Sequence, residues 1–121
     1  MKYLDMVIDE TLRLFPAVAR TDRVASNDYE FEGIKMKKGQ VVGVPIYALH
    51  HDPDIYPNPE EFQPERFSEE NKKKRDNEAY IPFGAGPRNC IGMRFALMEI
   101  KLIMATILSK YRFQTCDKTP V

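Results

Sequence analysis

Phe83-Gly84-Ala85-Gly86-Pro87-Arg88-Asn89-Cys90-Ile91-Gly92, running straight into the apolar stretch 91–110, is the segment whose reading decides the fold. In 91–110, Phe95, Leu97, Met98, Ile100, Leu102, Ile103, Ile107 and Leu108 leave only a thin polar stripe through Arg94, Glu99 and Lys101. That pattern predicts a helix, and a helix apolar on most sides belongs inside a protein larger than this chain. Cys90 therefore stands at a helix N-terminus, where partial positive charge and free N–H donors favour a thiolate. Arg88 and Arg94 add positive charge nearby. Gly84, Gly86 and Gly92 remove side chains that would keep another group off the backbone. Together these residues describe an exposed sulfur anion with room beside it for a flat ligand. On the residues alone two readings stay open, a metal- or redox-active thiolate and a buried structural cysteine. Zinc is disfavoured because no second Cys or His sits at ligand spacing, and no Cys-x-x-Cys pair is present.

Working outward, residues 80–90 are irregular and glycine-rich. Residues 68–79 read as a charged, solvated loop, because Lys72-Lys73-Lys74-Arg75 is bracketed by Glu69-Glu70 and by Asp76 and Glu78. The run Asp52-Pro53-Asp54-Ile55-Tyr56-Pro57-Asn58-Pro59 forbids regular structure, after which Pro59-Glu60-Glu61 is placed to open one helical turn. A short helix is expected over 46–51, and its His50 and His51 read as scaffold. Strands are expected over 29–31, 34–36 and 41–44, with Glu32-Gly33 and Lys38-Gly39 as turns. Residues 2–15 carry Leu4, Val7, Ile8, Thr11, Leu12 and Phe15 at helical spacing, with Asp5, Asp9 and Arg13 on the other face and Pro16 as the stop. Glu10 and Arg13, three apart, pair along this helix. Glu10 borders Tyr3, Val7 and Leu14, which argues for partial burial.

The chain has 121 residues, nine prolines, two cysteines, no tryptophan and no net charge. Its length fits one domain or part of one. A domain so small buries only roughly two thirds of its unfolded surface, a thin margin. Balanced charge gives no electrostatic reason to expect a nucleic-acid partner. Met1 is followed at once by a charged amphipathic stretch rather than a signal peptide, and no run of about 18 uncharged apolar residues exists. Two cysteines are too few for a disulfide scaffold, and Cys116, near a polar C-terminus, looks incidental.

Phe83-Gly84-x-Gly86-x-Arg88-x-Cys90-x-Gly92 resembles the haem-binding loop of cytochromes P-450 at every fixed position. Glu10-x-x-Arg13 and Pro64-Glu65-Arg66-Phe67 are two further hallmarks in the same order. The resemblance covers essentially the whole chain. In Tyr3-Leu4-Asp5-Met6-Val7, 10–16, Tyr47-Ala48-Leu49-His50 and 87–97 it is similar to the 3A-type drug-metabolising subfamily and to its relative thromboxane synthase. The implied fold is mainly α with small β hairpins (α+β), the C-terminal portion of the P-450 fold, with residues 1–121 an incomplete part of a single domain.

The resemblance implies haem b as cofactor, with Cys90 as the proximal and catalytic iron ligand, since a thiolate pushes electron density toward iron and favours O–O cleavage. Gly92 admits close contact with the sulfur side, Gly84 belongs to the same cofactor loop, and Phe83 packs there and limits water. Arg88 reaches a haem propionate and Arg23 resembles the second arginine so used, with Arg20 as its alternative; an arginine fork suits a carboxylate. Arg66 joins Glu10 and Arg13 in a network for folding and haem retention. Residues 17–21 resemble a substrate-contacting strand whose small side chains leave an apolar pocket roomy.

The implied activity of the full-length protein is monooxygenation: one oxygen atom from O2 enters an apolar drug- or steroid-like molecule. Electrons come from NADPH through a cytochrome reductase docking near Arg94 and Lys101. An isomerase of the thromboxane-synthase kind is the alternative, and a truncated, inactive binding module is a third. The family chain is several times longer, with an N-terminal membrane anchor that implies the endoplasmic reticulum membrane of microsomes, and with a proton-relaying central helix. Alone, these residues are expected neither to hold haem tightly nor to turn over.

Overall fold

Helix α1 spans Lys2–Leu14 in the computed structural model, which describes residues 1–119. It ends before Pro16, and the Phe15 amide still donates to the Thr11 carbonyl at 2.8 Å. Four strands follow: β1 (Thr21–Val24), β2 (Tyr29–Phe31), β3 (Ile34–Met36) and β4 (Val41–Val44). β1 pairs antiparallel with β4, from Thr21 opposite Val44 to Val24 opposite Val41. β2 and β3 form a separate antiparallel hairpin, Tyr29 opposite Met36. Its two-residue turn has Glu32 at φ 49° and Gly33 at φ 83°, the doubly left-handed geometry that matches the twist of paired strands.

Helix α2 (Ile46–His50) follows Pro45 directly. A stretch of turns then leads to a 3-10 turn at Pro64–Phe67, where proline fits the first helical position because its missing N–H would have had no partner. Pro59-Glu60-Glu61 makes only a hydrogen-bonded turn, Glu61 N to Asn58 O at 3.0 Å, and not the expected helical turn.

The expected charged loop over 68–79 is in fact structured. Ser68 caps a one-turn helix α3 (Glu69–Lys72), accepting from the Asn71 amide at 3.3 Å. A 3-10 turn, Asn77–Ala79, follows, with Asp76 as its cap. Ser and Asp at these positions satisfy amides that a helix start leaves open. Arg75 is not solvated in the expected way: its guanidinium lies 4.5 Å from the Phe67 ring centroid, 5.2 Å from Tyr56 and 5.8 Å from Tyr80. Three π faces around one cation, with its stem on apolar surface, stabilise by about 1–2 kcal/mol. Arg75→Ala is therefore expected to lower unfolding stability by that amount, whereas Lys73→Ala on the same run leaves it unchanged, as read by urea titration.

By contact the chain divides into two units, Met1–Asn89 and one beginning at Cys90. The core of the first is small: Ile8, Leu14, Ile46, Tyr56, Phe67, Ala79 and Ile81 surround the fully buried Glu10, Arg13 and His50. The second unit holds helix α4 (Met93–Leu108). It starts two residues later than the expected helix and ends two residues earlier. None of its residues is buried, and Phe95, Met98, Leu102, Ile103 and Leu108 stand in solvent. Helices with small antiparallel sheets make this an α+β chain, as the resemblance implied.

Candidate haem-thiolate site and its buried frame

The frame of the first unit is built on Arg13, which the helical pattern placed on the polar face of α1 and which is fully buried. Its Nε and Nη2 donate to the two carboxylate oxygens of Glu10 at 2.8 and 2.9 Å. Its Nη1 donates to the His50 carbonyl at 2.9 Å, and Nη2 also to the Pro59 carbonyl at 2.7 Å. Glu10 accepts in addition from the Gln63 amide at 2.8 Å. Arg66 brings its Nε to 3.4 Å from Glu10 and donates from Nη2 to the Asn58 carbonyl at 2.9 Å. The fixed fork of arginine suits this cage, because it grips both Glu10 oxygens on its own helix while reaching carbonyls from two other segments. Arg13 thus ties α1 to α2 and to the proline-rich turns, and Arg66 joins the pair as the resemblance implied.

A second tie runs from Asp9. The Tyr80 hydroxyl donates to the Asp9 carbonyl at 3.0 Å, and Lys72 Nζ pairs with Asp9 Oδ2 at 2.8 Å. Burial and the Asp9 charge push the Tyr80 phenol upward, so it stays a neutral donor. Sequence spacing gave no sign of this tie, since its members lie about 70 residues apart and share no local pattern.

His50 is fully buried, and its Nε2 accepts from the Ile81 amide at 3.0 Å. Burial above all, with the charges of Arg13, His51 and Arg75, lowers its pKa to about 4. The unfolded imidazole titrates near ~6.5, so between these values the unfolded chain binds more protons than the folded one. The neutral ring's contribution is thus complete above about pH 6.5 and falls away toward pH 4, by about 3 kcal/mol in all. Urea unfolding at pH 7 and pH 4.5 is expected to show this loss, and His50→Gln to flatten it.

The glycine loop begins where this frame ends. Ile81 and Pro82 are buried and Phe83 is half-buried. Gly84 and Gly86 have φ values of 75° and 70°, a region costly for any residue with a Cβ. Arg88, in the 3-10 turn Gly86–Arg88, is exposed and has no ion-pair partner among the described residues. Arg23 on β1 is exposed too. Among the described residues it donates to Thr21 Oγ1 and the Asp22 carbonyl, whereas Arg20 is paired with the Asp22 carboxylate at 3.1 Å. Of the two, Arg23 is the guanidinium still open to a carboxylate. Residues 17–20 lie outside any strand and β1 starts only at Thr21, so the expected 17–21 strand is not formed.

In the second unit Cys90 is an exposed free thiol. It stands in the turn before α4, with Gly92 as the cap, rather than on the helix itself; its carbonyl accepts from the Met93 amide at 3.3 Å. A Cβ on Gly92 would come to 3.9 Å from the sulfur and cover one side of it. Among the described residues no three His, Cys, Asp or Glu side chains gather at one point. A metal held by Cys90 must then bring its other donors with it. Haem would do so, since its iron comes with ring nitrogens as donors and Cys90 would add a protein sulfur. The residues present fit that group.

Comparison with known proteins agrees. The cytochrome P450 family model matches residues 1–121, and the chain belongs to that family. Within it the likeness is to the 3A type. The chain is 56% identical over 121 residues to cytochrome P450 3A2 of Rattus norvegicus. To 3A16 of Mus musculus it is also 56% identical, and to 3A29 of Sus scrofa 52%. In each case all of this chain is covered but only 24% of the relative. Family membership implies haem as cofactor.

Proposed function

We propose that this chain is the C-terminal haem-binding part of a P450 monooxygenase, in which Cys90 is the protein ligand to the iron. The supporting observation is the exposed Cys90 thiol in the turn before α4, with no Cβ at Gly92 beside it, in a chain whose whole length matches the family. Haem, when bound, supplies the iron at which O2 is activated, and a thiolate ligand enriches that iron in electron density. The chain's own residues do the rest. Arg88 and Arg23 offer open guanidinium groups for the two propionates. Gly84 and Gly86 let the loop turn without a Cβ, and Phe83 shields the approach to it from water. Glu10, Arg13 and Arg66 hold the proline-rich segment that precedes the loop in the chain; they position and do not react.

The apolar side of α4 (Phe95, Met98, Leu102) is the surface that the rest of a longer P450 covers, burying it at about 25 cal/mol per Å². Electrons reach the site from NADPH through a reductase, with the exposed Arg94 as one docking contact and Lys101 as a second. The substrate is a small apolar molecule. No described helix is long and apolar enough to cross a membrane, and attachment to the endoplasmic reticulum falls to an anchor outside these residues.

The test is turnover of the full-length protein under isotopically labelled O2, with NADPH and reductase. Incorporation of one labelled atom, lost when reductase is omitted, is the expected result. Product formed without reductase or O2 replaces the monooxygenase with an isomerase of the thromboxane-synthase kind.

A further inference from the structure

His50 offers two bonding groups, and the fold uses them at opposite ends. Its carbonyl accepts from Arg13 Nη1 at 2.9 Å, and its ring Nε2 accepts from the Ile81 amide at 3.0 Å. A backbone amide only donates, so Nε2 keeps its lone pair and the ring proton sits on Nδ1. Nδ1 is buried and has no hydrogen-bond partner among the described residues. A buried N–H left unpaired is costly. A phenylalanine or leucine would avoid that cost at Nδ1 but leave the Ile81 amide unpaired instead. The fold keeps an imidazole here for its acceptor. The ring is also fixed by stacking on Tyr80, with centroids 5.4 Å apart and planes at 28°.

We propose that His50 is a positioning residue for the cysteine loop, coupling the Glu10–Arg13 pair to Ile81, two residues ahead of Phe83. The coupling rests on the reading of Cys90 as haem ligand. Ile81 is the last backbone amide held by the buried frame before the glycine-rich turn. Fixing it sets where the glycine-rich turn departs from the buried frame. Groups facing the ring include Arg13 from α1, Tyr80 and Arg75 from the later turns, and His51 beside it. The two arginines only donate, the Tyr80 hydroxyl is engaged with Asp9, and His51 Nδ1 lies 2.9 Å from the Tyr47 carbonyl.

The experiment uses full-length, haem-loaded protein with His50→Gln, whose amide oxygen replaces the Nε2 acceptor, and His50→Phe, which has none. Two quantities are followed at neutral pH: amide exchange of the peptide containing Ile81, by mass spectrometry, and conversion of the reduced CO complex from its thiolate-shifted band to the unshifted one. In His50→Phe both are expected to be about tenfold faster than in the wild type, the worth of one lost buried hydrogen bond. In His50→Gln both stay near wild-type rates. Equal rates in all three proteins, or a Gln variant as fast as Phe, overturn the proposal. If His50→Phe fails to fold, the Gln variant and the wild type decide: a protected Ile81 amide in both, with slow conversion in both, sustains it, and an unprotected one in the wild type ends it. A wild type with no thiolate-shifted band at all refutes the Cys90 reading instead, while the exchange data still report on His50.

Discussion

Arg13→Ala is expected to cost about 3–5 kcal/mol of stability, enough to leave the protein unfolded or insoluble, because it strands the Glu10 carboxylate in the core without its partner. Both side chains are fully excluded from water. An exposed i,i+3 pair of the same composition is worth only about 0.2–0.5 kcal/mol, so the size of the loss separates a buried hub from a surface ornament. Arg13→Lys is expected to lose nearly as much. A single ammonium cannot reach both Glu10 oxygens and the carbonyls of His50 and Pro59 at once. Urea unfolding with circular dichroism reads both variants. A loss below about 1 kcal/mol for Arg13→Ala would show that the cage is dispensable.

Cys90→Ser is expected to act in the opposite way, leaving the fold alone and removing the chemistry. The thiol is exposed, and among the described residues its sulfur makes no hydrogen bond, so the exchange to serine is worth less than about 0.5 kcal/mol in stability. Serine's hydroxyl is a poor iron ligand beside a thiolate. Monooxygenase turnover of the full-length protein is therefore expected to fall below detection, and haem to be held more weakly, at unchanged circular dichroism. Cys116→Ser, a substitution of the other exposed free thiol, is the matched control and changes neither. Retained turnover in Cys90→Ser would move the ligand elsewhere.

The contrast between these two variants mirrors what is legible in the sequence and what only the fold brings together. The strands at 29–31, 34–36 and 41–44 and the helix stop before Pro16 were evident because alternation, turn glycines and proline act over a few residues. The cysteine loop was evident because its spacing is dense and local. Arg13 was misplaced by the same logic: helical periodicity sorts residues by polarity and cannot see that carbonyls of His50 and Pro59, some 40 residues downstream, arrive to satisfy a guanidinium. Arg75 reads in the sequence as one more charge of a basic run, since nothing local reveals that Phe67, Tyr56 and Tyr80 converge on it. The capping of α3 by Ser68 was within reach, Ser-Glu-Glu-Asn being an ordinary helix start, but four charges downstream masked it. His50 read as scaffold, and the fold gives that scaffold a direction, from the buried pair to the loop.

The most direct measurement of the central assignment is the absorption spectrum of the reduced, CO-bound full-length protein, taken beside Cys90→Ser. A Soret band shifted to the red by a sulfur anion in the wild type, and absent from the variant, is the expected pair of spectra. An unshifted band in the wild type, or a shifted one that survives in Cys90→Ser, would contradict a haem iron held by this thiolate.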